Sequence, residues 1–172
     1  MQKHTAVPAM IFTLIVGTLL HFTYGLLGEG AAWFSAVNES TWEHLKLLFF
    51  PVMAAAPAEY AAYGRRIPAF LFSTWVGVLA GMAFIVVFFY TYTGILGYDV
   101  PALSVGSFFV SVFITYSVRQ KTAERKRRAA PVYTAVGLAG MLILAALFIR
   151  FTYAPPAIGL FRDPLTGRFG RL

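Results

Sequence analysis

The chain has no cysteine among its 172 residues, and only 7 acidic side chains against 14 basic ones. The first absence excludes disulfides, thiolate metal sites, iron–sulfur clusters and a thiol nucleophile. Charged residues make up 12% of the chain, well below the ~25% of soluble domains. There is no Gly-rich phosphate loop, no H-E-x-x-H, no G-x-S-x-G and no Ser/His/Asp spacing of a hydrolase. Nucleotide, haem and the familiar hydrolytic chemistries therefore have no sequence signal. No segment of 20–50 residues repeats, which removes the duplicated halves of many transporters.

What the chain does have is apolar length. Five runs, residues 6–27, 41–63, 67–90, 100–118 and 131–151, dominate it, and a membrane-spanning helix needs ~20 apolar residues. The expected fold is all-α: one polytopic membrane domain over residues 1–172, a bundle of five transmembrane helices. The first run is longer than a signal-peptide core and is read as a retained helix. Pro51 and Pro57 fall inside the second run and predict a kink there. The tail, residues 154–172, is too rich in Pro and Gly for a helix and too apolar for simple disorder, and is expected to cap the bundle non-helically.

Lysine and arginine set the expected orientation. Lys3, Arg65, Arg66, Arg119, Lys121 and Arg125–Arg128 share one side if the amino terminus is cytoplasmic, with Lys46, Arg150, Arg162, Arg168 and Arg171 on the other. The positive-inside rule then predicts a cell (plasma) membrane protein with a cytoplasmic amino terminus and an extracytoplasmic carboxy terminus. The net charge of +7 is explained by loops facing anionic headgroups, so the lipid bilayer is the expected partner and nucleic acid is not. A further membrane protein or a second copy of the chain completes the partners the class implies.

In that topology four polar segments meet on the outer side: His21 with Tyr24; Asn38, Glu39, Glu43, His44 and Lys46; Tyr90 and Tyr92 with Asp99; and Arg150 and Tyr153 with Asp163. Ionisable groups at membrane depth are costly, so their clustering marks a candidate site. His21, Glu39, Glu43 and His44 are the ligand candidates, since imidazole and carboxylate together suit a divalent zinc, iron, manganese or nickel ion. Glu39 and Glu43 are placed on one helical face by their spacing, and Arg150 is expected to turn toward this cluster.

Each candidate also has a local reading. Ser40-Thr-Trp-Glu43 is a capping box, and Glu43 and Lys46 can pair at i,i+3. Tyr90, Tyr92 and Tyr153 suit an interfacial aromatic belt. Asp163-Pro-Leu-Thr-Gly167 is turn chemistry. Glu59 is expected to pair with Arg65 or Arg66.

The segments HFTYG (residues 21–25), SAVNESTWEHLKLLFFP (35–51), YTYTGILG (90–97) and FTYAPPAIGLFRDPLTGRFG (151–170) resemble a family of small prokaryotic multipass membrane proteins known as a domain of unknown function. The resemblance covers essentially the whole chain and implies a polytopic helical fold. It transfers no activity. The chain departs from the pattern at Phe169, where the family favours Tyr before the glycine. Three functions are compatible with these residues: binding or transport of a cation, metal or small polar ligand; a membrane-embedded metal-assisted hydrolase with Glu39 or Glu43 as base; and an accessory or assembly subunit.

Overall fold

The computed structural model describes residues 6–125 and 131–171; Lys3 and residues 126–128 of the basic loop lie outside that range. Five helices are present among the described residues: α1 Val7–Leu27, α2 Thr41–Ala62, α3 Phe70–Leu96, α4 Pro101–Arg125 and α5 Pro131–Tyr153. Each is long and apolar enough to cross a membrane. Among the described residues, three short 3-10 turns, Gly28–Ala31, Gly64–Arg66 and Gly159–Phe161, and one bridge between Arg162 and Phe169 complete the regular structure.

The helix ends follow local chemistry more closely than hydropathy. Ser40 caps α2 by accepting the Glu43 amide at 3.4 Å. α3 stops at Gly97, whose φ of 82° closes the helix onto the Thr93 carbonyl. α3 and α4 therefore outrun their apolar segments. Thr91, Tyr92 and Thr93 continue α3 beyond its apolar run until Gly97 ends it, and Gln120, Lys121, Ala123 and Glu124 are residues of ordinary to good helix propensity that carry α4 to Arg125. α2 runs continuously through Pro51 and Pro57.

α2 is the axis of the bundle. Leu48, Phe49 and Val52 are fully buried, and most of its length is enclosed. α1, α4 and α5 instead present Leu19, Phe22, Val105, Phe113 and Ile143 outward, an extent of apolar surface that suits lipid rather than water. α3 meets α4 through Gly77 and Gly81: a β-carbon on Gly81 would stand 2.1 Å from Thr115 Oγ1 and 2.9 Å from the Ser111 carbonyl. That is the close approach small-residue motifs permit.

The tail packs on the end of the bundle where α1 finishes and α2 begins. The Phe161 ring lies tilted 5.0 Å from Trp42 and edge-on 5.2 Å from Phe151. The Asn38 side chain donates to the Gly170 carbonyl at 2.6 Å. Asp163, fully buried, accepts from the Leu165 amide and the Thr166 hydroxyl, so it serves its own turn.

Candidate metal centre

The three residues before α2 form a tight turn in which the Asn38 carboxamide oxygen accepts the Ser40 amide at 2.9 Å. Glu39 sits in this turn, ahead of the helix. Its side chain consequently reaches across to α1 and does not share a helical face with Glu43, contrary to the spacing argument. His44 lies in the first turn of α2. Its Nδ1 is 3.0 Å from the Ser40 carbonyl, and its Nε2 is 3.3 Å from Glu39 Oε2. From α1, His21 brings its Nε2 to 4.0 Å from Glu39 Oε1, and its ring centroid lies 5.2 Å from that of His44.

One ligand atom from each of His21, Glu39 and His44 therefore lies within 4.8 Å of the others. A carbonyl can only accept, so the Nδ1–H of His44 donates to Ser40. Its Nε2 is left to bond Glu39 when protonated, or to ligate a cation when not. This is the second-shell arrangement that orients metal-binding histidines. The Nδ1 of His21 is buried with no hydrogen-bond partner among the described residues, an anomaly in a class of groups that are almost always satisfied. The His44 hydrogen bond holds the Glu39 carboxyl below its ordinary range, against the opposing effect of burial, with the nearby imidazoles adding to the lowering.

Beside the triad is a cavity of about 440 Å³, within the ~300–1,000 Å³ range of small-molecule sites. Its floor is where α1 touches α4: a β-carbon on Gly17 would stand 2.5 Å from both the Phe108 ring and the Leu47 carbonyl. The lining also includes Thr18 and Phe22 of α1, Phe89 of α3, Pro101, Ser104 and Val105 of α4, and Pro164 and Leu165 of the tail.

Glu43 belongs to a different, fully enclosed network. Its Oε2 is 2.5 Å from Lys46 Nζ and accepts the Val37 amide at 3.1 Å, while its Oε1 accepts from Thr152 on α5 at 3.1 Å. Lys46, with no exposed surface, also donates to the carbonyls of Ala32 and Ser35. The capping box is thus modified. Glu43 reaches back past Ser40, whose amide Asn38 already holds, to Val37.

The other candidates separate as follows. Arg150 does not face either carboxylate; it is exposed and donates to Ala154 O at 3.1 Å. Lys46 takes the place expected of it, because a lysine three residues along α2 reaches Glu43 from within the same turn. The Tyr24 hydroxyl donates to Glu29, and Tyr153 carries Arg171 over its ring at 4.6 Å. Tyr90 is exposed. Tyr92 is buried and donates to Asp99, which also accepts from Ser104 at 2.8 Å.

At the opposite end of the bundle, Glu59 pairs with Arg119 of α4 and not with Arg65 or Arg66. Two guanidinium bonds of 2.6 and 2.8 Å hold it. Hydropathy assigns Arg119 to the connection, because the apolar run ends at Val118. The missed signal was helical: Thr115, Tyr116, Arg119 and Ala123 share the buried face of α4.

A family model, DUF6512, a family of unknown function, matches residues 2–171, and the chain belongs to that family. No curated protein and no solved structure matches it.

Proposed function

We propose that this DUF6512 member is a membrane-embedded metalloprotein that holds a divalent cation between His21, Glu39 and His44, with the remaining coordination positions open to the adjoining cavity. The observation carrying this reading is the His44 ring, which has Nδ1 committed to Ser40 and Nε2 turned toward Glu39 and His21. Ligands ~2.0–2.1 Å from a tetrahedral zinc lie about 3.3 Å from one another. His44 Nε2 and Glu39 Oε2 already stand at 3.3 Å, and with one ligand atom from each residue the three lie within 4.8 Å of one another, so His21 has up to about 1.5 Å to close.

Three protein ligands with an open position describe a catalytic site rather than a structural one. The chemistry such an ion supplies is polarisation of a carbonyl or phosphoryl oxygen, or activation of bound water. Transport of the ion is the second reading. The floor at Gly17, Phe108 and Leu47 favours a resident metal over one in transit. By the charge bias of Arg65, Arg66, Arg119, Lys121 and Arg125, the triad faces the extracytoplasmic side of the plasma membrane.

The decisive measurement is metal content of protein purified in detergent and dialysed against zinc, manganese or iron(II). One equivalent in the parent chain, lost in His21→Ala and His44→Ala but kept in Glu124→Ala, supports the centre. Equal content in all four removes it. The chain contains no cysteine, so a single engineered one reports sidedness: Glu124→Cys should resist an impermeant maleimide in intact cells and Arg168→Cys, on the exposed tail, should react.

A further inference from the structure

The walls of the cavity hold few polar side chains, and most of those are already engaged. The Thr18 hydroxyl donates to Leu14 O at 2.8 Å, Ser107 donates to Ser104 O at 2.7 Å, and Ser104 donates to Asp99 at 2.8 Å. Asp99 in turn accepts from Tyr92. Such a wall offers little to a polyol or a peptide, which needs its own donors and acceptors matched on leaving water. The strong polar groups on the lining are the triad and the Asp99 carboxylate, whose Oδ1 is already held by Tyr92 and Ser104. The apolar lining includes Phe22, Leu47, Ile85, Phe89, Phe108 and Phe109.

The rim is unusual as well. Phe22 is 61% exposed, Val105 58% and Leu165 79%, and Phe22 and Val105 stand on α1 and α4, outward of the point where those helices touch at Gly17 and Phe108. In a bilayer this mouth faces acyl chains. A divalent cation bound by one carboxylate and two neutral imidazoles carries a net positive charge and keeps open coordination positions, while Asp99 is bonded to Tyr92 and Ser104 on the same lining.

We infer that the cavity takes a single-chain amphiphile with an anionic head, entering sideways from the bilayer, its carboxylate or phosphate completing the coordination of the metal and its chain lying against Phe22, Phe89 and Phe108. The inference rests on the metal reading given above. The head is selected by the open coordination positions of the metal. The chain gains little over lipid itself, so specificity comes from the tail holding the head at a depth that a water-soluble anion does not keep.

Cobalt(II) serves as both occupant and reporter, because its visible bands respond to a change of ligand. Protein in nanodiscs loaded with cobalt would be titrated with oleate, with lysophosphatidate and with acetate. In the parent chain oleate or lysophosphatidate should shift the bands at concentrations at least tenfold below acetate. Val105→Trp, which fills the mouth from α4 without touching the three ligands, should keep cobalt and the acetate response while weakening the amphiphile response tenfold or more. Leu165→Trp blocks the same mouth from the tail and guards against a folding defect peculiar to α4. Amphiphile responses equal in the parent and both variants, or bands that move with neither amphiphile, overturn the inference while leaving the metal centre standing. Absence of cobalt bands in the parent chain overturns both.

Discussion

The Nε2 of His44 lies 3.3 Å from Oε2 of Glu39, and the other ring nitrogen is held by a carbonyl one turn back. Glu39 thereby has its carboxyl depressed by the hydrogen bond from His44. The sign follows from linkage: a carboxylate with a lowered folded pKa contributes stability above its unfolded value of ~4.3, and loses it as pH falls through the lower folded value. In metal-free protein, Glu39→Gln should therefore melt below the parent at pH 7, and the gap should close as the pH drops below ~4. A gap that persists undiminished in acid would mean that Glu39 acts only through packing. Metal affinity should fall in the same direction, since protons compete for imidazole and carboxylate alike.

Lys46 and Glu43 form a pair with no route to solvent. Removing one partner of such a pair costs roughly 3–5 kcal/mol, because the other charge stays buried and uncompensated. Lys46→Met should lower the melting temperature sharply, and Lys46→Met with Glu43→Gln should recover much of the loss. Arg150→Leu, by contrast, removes an exposed side chain bonded to one carbonyl and should cost only about 0–1 kcal/mol. Comparable losses in Lys46→Met and Arg150→Leu would contradict this assignment.

Arg119 holds Glu59 with two hydrogen bonds at the far end of the bundle. Arg119→Ala should destabilise by about 3–5 kcal/mol, and Arg65→Ala, on an exposed turn, by less than ~1 kcal/mol. A double-mutant cycle with Glu59→Gln should show strong coupling to Arg119 and none to Arg65. Tyr63 donates to the same Glu59, and burial, helped by that bond, raises its phenol well above the usual value. Its contribution is present below pH ~10 and is lost only as the pH passes the raised value. Tyrosinate absorbance developing between about pH 9 and 11 should consequently be the same in the parent and in Tyr63→Phe.

Two glycines of α3 make a controlled comparison. Gly81→Ala would place a β-carbon 2.1 Å from Thr115 Oγ1 and force α3 from α4, whereas nothing lies within 4 Å of the position at Gly94. Gly94→Ala should stabilise by up to ~1 kcal/mol through helix propensity. Gly81→Ala should destabilise by several times that amount, read as thermal melting in the same detergent. Matching melting curves would show that α3 and α4 are not in close contact at Gly81.

Apolar length alone was enough to specify five helices and the all-helical class, because a backbone that leaves water must bond to itself. The residues that punctuate the helices were legible too: Ser40 as a cap and Asp163 as a turn former behaved as their local chemistry dictates. Hydropathy marks where a chain stops preferring lipid and not where its helix ends, which is why α3 and α4 ran past their apolar segments. The gathering of His21 with His44 at one end was also accessible, since antiparallel neighbours joined by a short connection bring the close of one helix beside the start of the next.

Tertiary structure decided how the polar residues divide. Glu39 and Glu43 differ by four positions, yet one lies in the turn and faces α1 while the other lies in the helix and faces α5. That choice depends on a backbone bend of a single turn and on Thr152, more than 100 residues away. The selection of Arg119 over Arg65 and Arg66 has the same origin, whereas the Glu43–Lys46 pair follows from i,i+3 spacing on one helix. A buried charge takes the partner that can reach it at hydrogen-bond distance, and for Glu59 with Arg119, and Glu43 with Thr152, only the packing of α2 against α4 and α5 determines which partner that is.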